Sequence, residues 1–200
     1  MINNTIFLKL IMTSIKDQKF IYHLTDIDNL PSILSSGLQS RSNLKSFSDV
    51  ADDKIISSRK KANLEQYVPF HFFARSPFDG AVQQSHPNKT FVLIAIYRSL
   101  AEANNWFIIP KHPLSFPQIK LLDYEDGIAA IDWEAMDKRE YSDSHSHSVC
   151  MAECLSPTTV SSDCFFAIYV KDESSAERVK KMLEVTSVDC HVNTNPKMFV

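Results

Sequence analysis

The sequence predicts an α+β fold, a mixed β-sheet with helices at its margins. Two nearly continuous apolar runs, residues 91–97 (FVLIAIY) and 164–170 (CFFAIYV), read as buried strands rich in β-formers. Outside these runs, apolar residues recur at helical spacing, at Ile27, Leu30, Ile33, Leu34 and Leu38 and again at Val179, Met182 and Leu183. The third observation is an exclusion. The only three glycines, Gly37, Gly80 and Gly127, lie too far apart for a Walker A loop or a G-x-G-x-x-G turn, which rules out P-loop and Rossmann nucleotide binding.

Taken in order, residues 1–17 read as a loosely attached extension. Residues 20–24 (FIYHL) form a short strand, Thr25 or Asp26 caps the helix that follows, and Gly37 ends it. Residues 41–53 are polar and read as a loop, and residues 54–64 as a short helix or an ordered loop. Residues 67–74 (YVPFHFFA) are extended, with Pro69 pointing to an edge or a strand start, and Arg75-Ser-Pro-Phe turns the chain. Beyond the central strand at 91–97, a brief helix at 99–105 precedes a short strand at 106–109. A helix at 131–141 carries Trp133 and Met136 inward. Residues 149–155 (VCMAECL) alternate as a strand, residues 174–185 form an amphipathic helix, and residues 188–192 a last strand.

The 200 residues, 44% hydrophobic and 22% charged, suit one sizeable core. They divide into an extension at 1–19 and a single domain at 20–200. A net charge of -3 argues against a broad non-specific nucleic-acid coat, because such affinity comes from neutralising phosphates. A local basic site stays open: between Gly37 and Lys61, Arg41, Lys45, Lys54, Arg59, Lys60 and Lys61 outnumber Asp49, Asp52 and Asp53. Cys150, Cys154, Cys164 and Cys190 show no C-x-x-C spacing and read as free thiols. Lys9 interrupts the apolar N-terminus, and no apolar run approaches the roughly 20 residues that span a bilayer. The expected location is cytoplasmic, with no membrane contact.

Glu153 draws attention as a carboxylate inside an apolar strand, flanked by Met151, Ala152, Cys154 and Leu155. Burying it without a partner costs roughly several kcal/mol, so it lies on an open face, in an ion pair, or is held for use. His145, His147 and Cys150 lack a fourth partner at zinc spacing, and no metal is expected. Their serine-rich surroundings read as a loop leading into the Glu153 strand.

Four separated blocks resemble the DarT family of DNA ADP-ribosyltransferase toxins, in matching order and spacing. They are YHLTDIDNLPSILSSGL (22–38), IISSR (55–59), YVPFHFFARSPF (67–78) and MAECL (151–155). The resemblance implies an ADP-ribosyltransferase-like sheet that binds NAD, as substrate, without a glycine turn. It implies that His23 and Thr25 fix a ribose and the carboxamide, and that Asn29 supports the cleft. Glu153 matches the family's catalytic glutamate, and Arg59 its active-site arginine.

By the same resemblance His71, standing where these toxins often carry tyrosine, and Arg75 lie at the NAD cleft, and Phe78 lies beside DNA. His112 aligns with a histidine near the target base. Lys60 and Lys61 read as phosphate contacts or plain surface. Of the rings of Tyr67, Phe70, Phe72 and Phe73, at least half are expected in the core.

The expected activity is transfer of ADP-ribose from NAD to a base of single-stranded DNA, thymine before guanine, by the toxin of a toxin–antitoxin pair. A macrodomain that removes ADP-ribose is the expected antitoxin. Two alternatives stay open: a degenerate module that binds NAD or nucleic acid, and a transferase acting on RNA or protein.

Overall fold

The computed structural model describes residues 14–50, 53–115 and 119–200. One mixed sheet of seven strands organises them: β1 (Phe20–Asp26), β2 (Val68–His71), β3 (Phe91–Tyr97), β4 (Phe107–Ile109), β5 (Glu153–Ser156), β6 (Ala167–Val170) and β7 (His191–Thr194). Their order across the sheet is β4-β5-β2-β1-β3-β6-β7, antiparallel throughout except for β6 with β7. The apolar run at 91–97 thus becomes an interior strand, and of the run at 164–170 the residues Ala167–Val170 do, Cys164 closing a 3-10 turn before them. Val92, Ile94 and Ile96 of β3 pack into the main core, while Phe91 and Leu93 enter a second cluster with Leu24, Val82 and Phe199. Burial on both faces is why β3 shows no polar alternation.

Helices α1 (Leu30–Ser36), α2 (Asp53–Lys61), α3 (Pro77–Ser85), α4 (Arg98–Ala103), α5 (Tyr124–Ala130), α6 (Trp133–Lys138), α7 (Ser144–Val149) and α8 (Glu173–Glu184) lie around the sheet. The α8 face with Ala176 and Val179 is buried, and Asp172 caps its N-terminus through Ser175. Gly37, at φ 79°, ends α1 where an L side chain is strained. None of the described helices is long and apolar enough to cross a membrane.

Several elements differ from expectation. Residues 15–17 are not loose: Ile15 is buried in the main core and its backbone N–H donates to Asp137. Residues 1–13 lie outside the described residues. Where Arg75-Ser-Pro-Phe was expected only to turn the chain, Ser76 and Asp79 close a capping box with Pro77 at the first helical position, and α3 follows. α5 was also unforeseen. Its interior Gly127 reads as a breaker, yet an added Cβ would lie 2.2 Å from Ile108 Cβ, so glycine lets the helix close on β4. The expected helix at 131–141 is shorter, with Met136 fully buried and Trp133 packed against the core.

The serine-rich tract is helix rather than loop. Asp143 caps α7 through Ser146, Val149 belongs to that helix, and the strand begins only at Glu153. His145 bonds Asp132, His147 lies edge-on to Tyr141, and Cys150 donates to the Met136 carbonyl, three different directions. Among the described residues no group of three or more histidines, cysteines or acids is placed to hold a metal ion. Pro69, expected at an edge or a strand start, is the second residue of an interior strand, in register with Leu155. The sheet accepts it because β1 and β2 share the single pair Tyr22 with His71, so Pro69 faces no ladder on the β1 side. The last strand begins three residues later than expected.

Candidate active site

The parting of β1 from β2 opens a cavity of about 440 Å³. Residues from β1, α1, the 41–50 loop, α2, β2, α3, the His112 turn and the start of β5 wall it. Glu153 is the first residue of β5 and stands in register with His71 on β2. It is almost fully buried, and its partner comes from the last turn of α2: Arg59 Nη1 donates to both carboxylate oxygens at 2.7 Å. A guanidinium that donates to both oxygens fixes that carboxylate in place.

His23 Nδ1 lies 2.8 Å from the Pro69 carbonyl, bridging the gap between the two strands. A carbonyl only accepts, so Nδ1 carries the proton and a neutral ring presents Nε2 as an acceptor. Burial, with His71 and Arg59 nearby, pushes the His23 pKa down to about 4, despite the Pro69 bond. His71 Nδ1 lies 3.3 Å from the Ala152 carbonyl, and its ring stacks on Phe78 at 5.0 Å. The His112 backbone N–H donates to the Ser148 carbonyl, and burial lowers its ring pKa although the Glu153 carboxylate opposes that shift.

Asn29 fastens the 41–50 loop to β1. Its Nδ2 donates to Thr25 Oγ1 and to the Ser48 carbonyl, and its Oδ1 accepts the Ser48 N–H at 2.7 Å. Ser48 Oγ and Lys89 Nζ both donate to Asp26 at 2.7 Å. Burial would raise the Asp26 carboxyl, but these donors hold it below its ordinary value. The 41–50 loop is thereby tied down across the cavity.

The structure brings His23, Thr25, Asn29, Arg59, His71, Phe78, His112 and Glu153 to one cavity. Arg75 is not among its lining residues: it is exposed, at φ 62°, and its carbonyl accepts from the Tyr141 hydroxyl. Lys60 and Lys61 are exposed on α2 and also stand outside the lining. Phe70, Phe72 and Phe73 are core residues, while Tyr67 lines the cavity. Cys154 is fully buried against the main core, and burial pushes its thiol pKa up, so it is not a nucleophile. Apart from the Asp26 and Asn29 side chains, each of which needs a partner, nothing in the sequence marks the 41–50 loop as a wall, or Ser48 and Lys89 as the residues that tie it to Asp26.

Residues 22–200 match the family model described as "ssDNA thymidine ADP-ribosyltransferase, DarT". The chain belongs to the DarT family. It is 26% identical, over 180 residues, to a DNA ADP-ribosyl transferase–DNA ADP-ribosyl glycohydrolase fusion protein of Thermosipho africanus. The match takes in 82% of this chain and 45% of that protein, so the chain spans about half the length of this curated relative. Thermus sp. 2.9 DarT in complex with ADP-ribosylated ssDNA superimposes with a TM-score of 0.78 at 21% identity, over 91% of this chain and 96% of that one. The same protein in complex with NAD+ gives 0.73 at 20% identity, over 92% and 98%. The DarT fold is therefore this chain's fold, and the expected ADP-ribosyltransferase-like α+β sheet is borne out.

Proposed function

We propose that this chain transfers ADP-ribose from NAD to the thymine base of single-stranded DNA, with residues 20–200 as the catalytic unit. The observation that carries the reading is the Arg59–Glu153 pair in a cavity also walled by His23, Thr25, His71 and His112. The DarT family membership and its described acceptor support it.

The bond between the nicotinamide nitrogen and the ribose carbon breaks, and its electron pair leaves with nicotinamide. Nicotinamide is cationic in NAD and departs neutral, so no acid need protonate it. The ribose becomes oxocarbenium-like, and the Glu153 carboxylate, held by Arg59, stabilises that developing cation. His23 Nε2 accepts from a ribose hydroxyl. A ring nitrogen of thymine then bonds to the ribose carbon and releases its proton, which neutral His112 takes up. Phe78 and His71, stacked on each other, offer the base a flat neighbour, and Lys60 and Lys61 meet the DNA backbone.

A chain that modifies DNA from NAD works in the cytoplasm and needs an opposing activity. The relative fused to a DNA ADP-ribosyl glycohydrolase supports a glycohydrolase of macrodomain type as the antitoxin activity. Nicotinamide release from NAD, followed with and without a thymine-containing single strand, tests the reading. Release that depends on the strand is expected; release unaffected by DNA contradicts it.

A further inference from the structure

A dinucleotide brings a diphosphate with two negative charges, and a fold without a glycine-rich turn must meet it with side chains. The described charged residues lining the cavity are the cations Arg41 and Arg59 and the carboxylates Asp28, Asp49, Glu65 and Glu153. Arg59 is engaged by Glu153, and Asp28 is bonded by Arg178 at 2.6 Å. Among the described lining residues between 28 and 50, Arg41 is the cation.

Arg41 is held by Asp49 through both terminal nitrogens, Nη2 lying 2.9 Å from Oδ1, with the Phe47 ring 5.1 Å from the guanidinium carbon. We propose that Arg41 binds the diphosphate of the dinucleotide and that Asp49 competes with it for the same guanidinium. This rests on the reading of the cavity as an NAD site. Two parallel N–H donors suit a phosphate as well as a carboxylate. The two side chains are 27% and 38% exposed, so their pairing is weak and readily exchanged. Asn29, Asp26 and Lys89 hold the loop at Ser48, through bonds that do not involve the Arg41–Asp49 pair. Asp49 thereby sets how tightly nucleotide is held.

Calorimetric titration of the full chain tests this with ADP-ribose, which carries the diphosphate, and adenosine, which does not. Arg41→Gln weakens ADP-ribose binding about tenfold or more and leaves adenosine unchanged, whereas Asp49→Asn tightens ADP-ribose severalfold. Melting curves confirm that both variants fold. Equal ADP-ribose affinity in wild type and both variants overturns the proposal, as does an equal loss of adenosine in Arg41→Gln. A wild-type chain that binds neither ADP-ribose nor NAD overturns the NAD reading itself, and this inference with it.

Discussion

Arg59 and Glu153, 94 residues apart, meet through one nitrogen: Nη1 lies 2.7 Å from both carboxylate oxygens. Neither residue alone explains the other's place. A carboxylate so deeply buried needs a cation, and a guanidinium at the end of α2 is turned inward beside exposed Lys60 and Lys61 because that carboxylate receives it.

Glu153→Gln keeps the shape of the site and removes the charge opposite the ribosyl cation. Turnover falls about 100-fold or more while NAD still binds. Arg59→Ala instead leaves a buried charge without its partner and destabilises the fold, toward the lower end of about 3–5 kcal/mol because the pair is not wholly sealed from water. Single-turnover assays and urea denaturation separate the two effects. A Glu153→Gln enzyme of near wild-type rate contradicts the assignment.

His112 is held neutral by burial, with its pKa below the ordinary value, so it is ready to take a proton near neutral pH. The transfer rate should therefore fall on the acid side as His112 charges. His112→Ala should lower the rate about 100-fold and abolish that acid limb. An unchanged pH profile in the variant assigns the limb to another group.

His23 contributes to stability with a definite sign. Its pKa is about 4 in the folded chain against 6.5 ordinarily. Between those values the unfolded chain takes up a proton that the folded chain does not, so stability is full above pH 6.5 and is lost as pH falls toward 4. His23→Asn keeps an N–H for the Pro69 carbonyl and does not titrate. Its melting temperature should fall less steeply than wild type across that window; parallel curves contradict the assignment.

Gly127→Ala should destabilise the fold by about 1–3 kcal/mol, because the new methyl meets Ile108. Helix propensity alone favours alanine by about 1 kcal/mol, so the sign of the change measured in denaturant shows which effect wins. A more stable variant contradicts the close packing of α5 on β4.

What the sequence made legible was local or carried by resemblance. β3 and α8 follow from apolar periodicity, and the cap and glycine around α1 mark its limits. Residues 149–155 read as one strand because an apolar alternation cannot distinguish a helix end followed by a strand from one long strand. Asp143 capping Ser146 decides it, but only once the helix is seen. Arg98 shows no sequence signal, yet its buried guanidinium donates to the carbonyls of Lys16, Phe20 and Phe72 and ties the N-terminal turn to the sheet. The eight residues that share the cavity come from distant segments, and no spacing rule joins Arg59 to Glu153. Matching the four blocks to a family proposed that pair before the fold brought it together.

The most direct test is the mass of a single-stranded, thymine-containing oligonucleotide after incubation with the chain and NAD. The account predicts one added ADP-ribose, on the thymine base, absent without NAD and absent with Glu153→Ala. An oligonucleotide of unchanged mass across varied sequences, or one modified equally by Glu153→Ala, contradicts it.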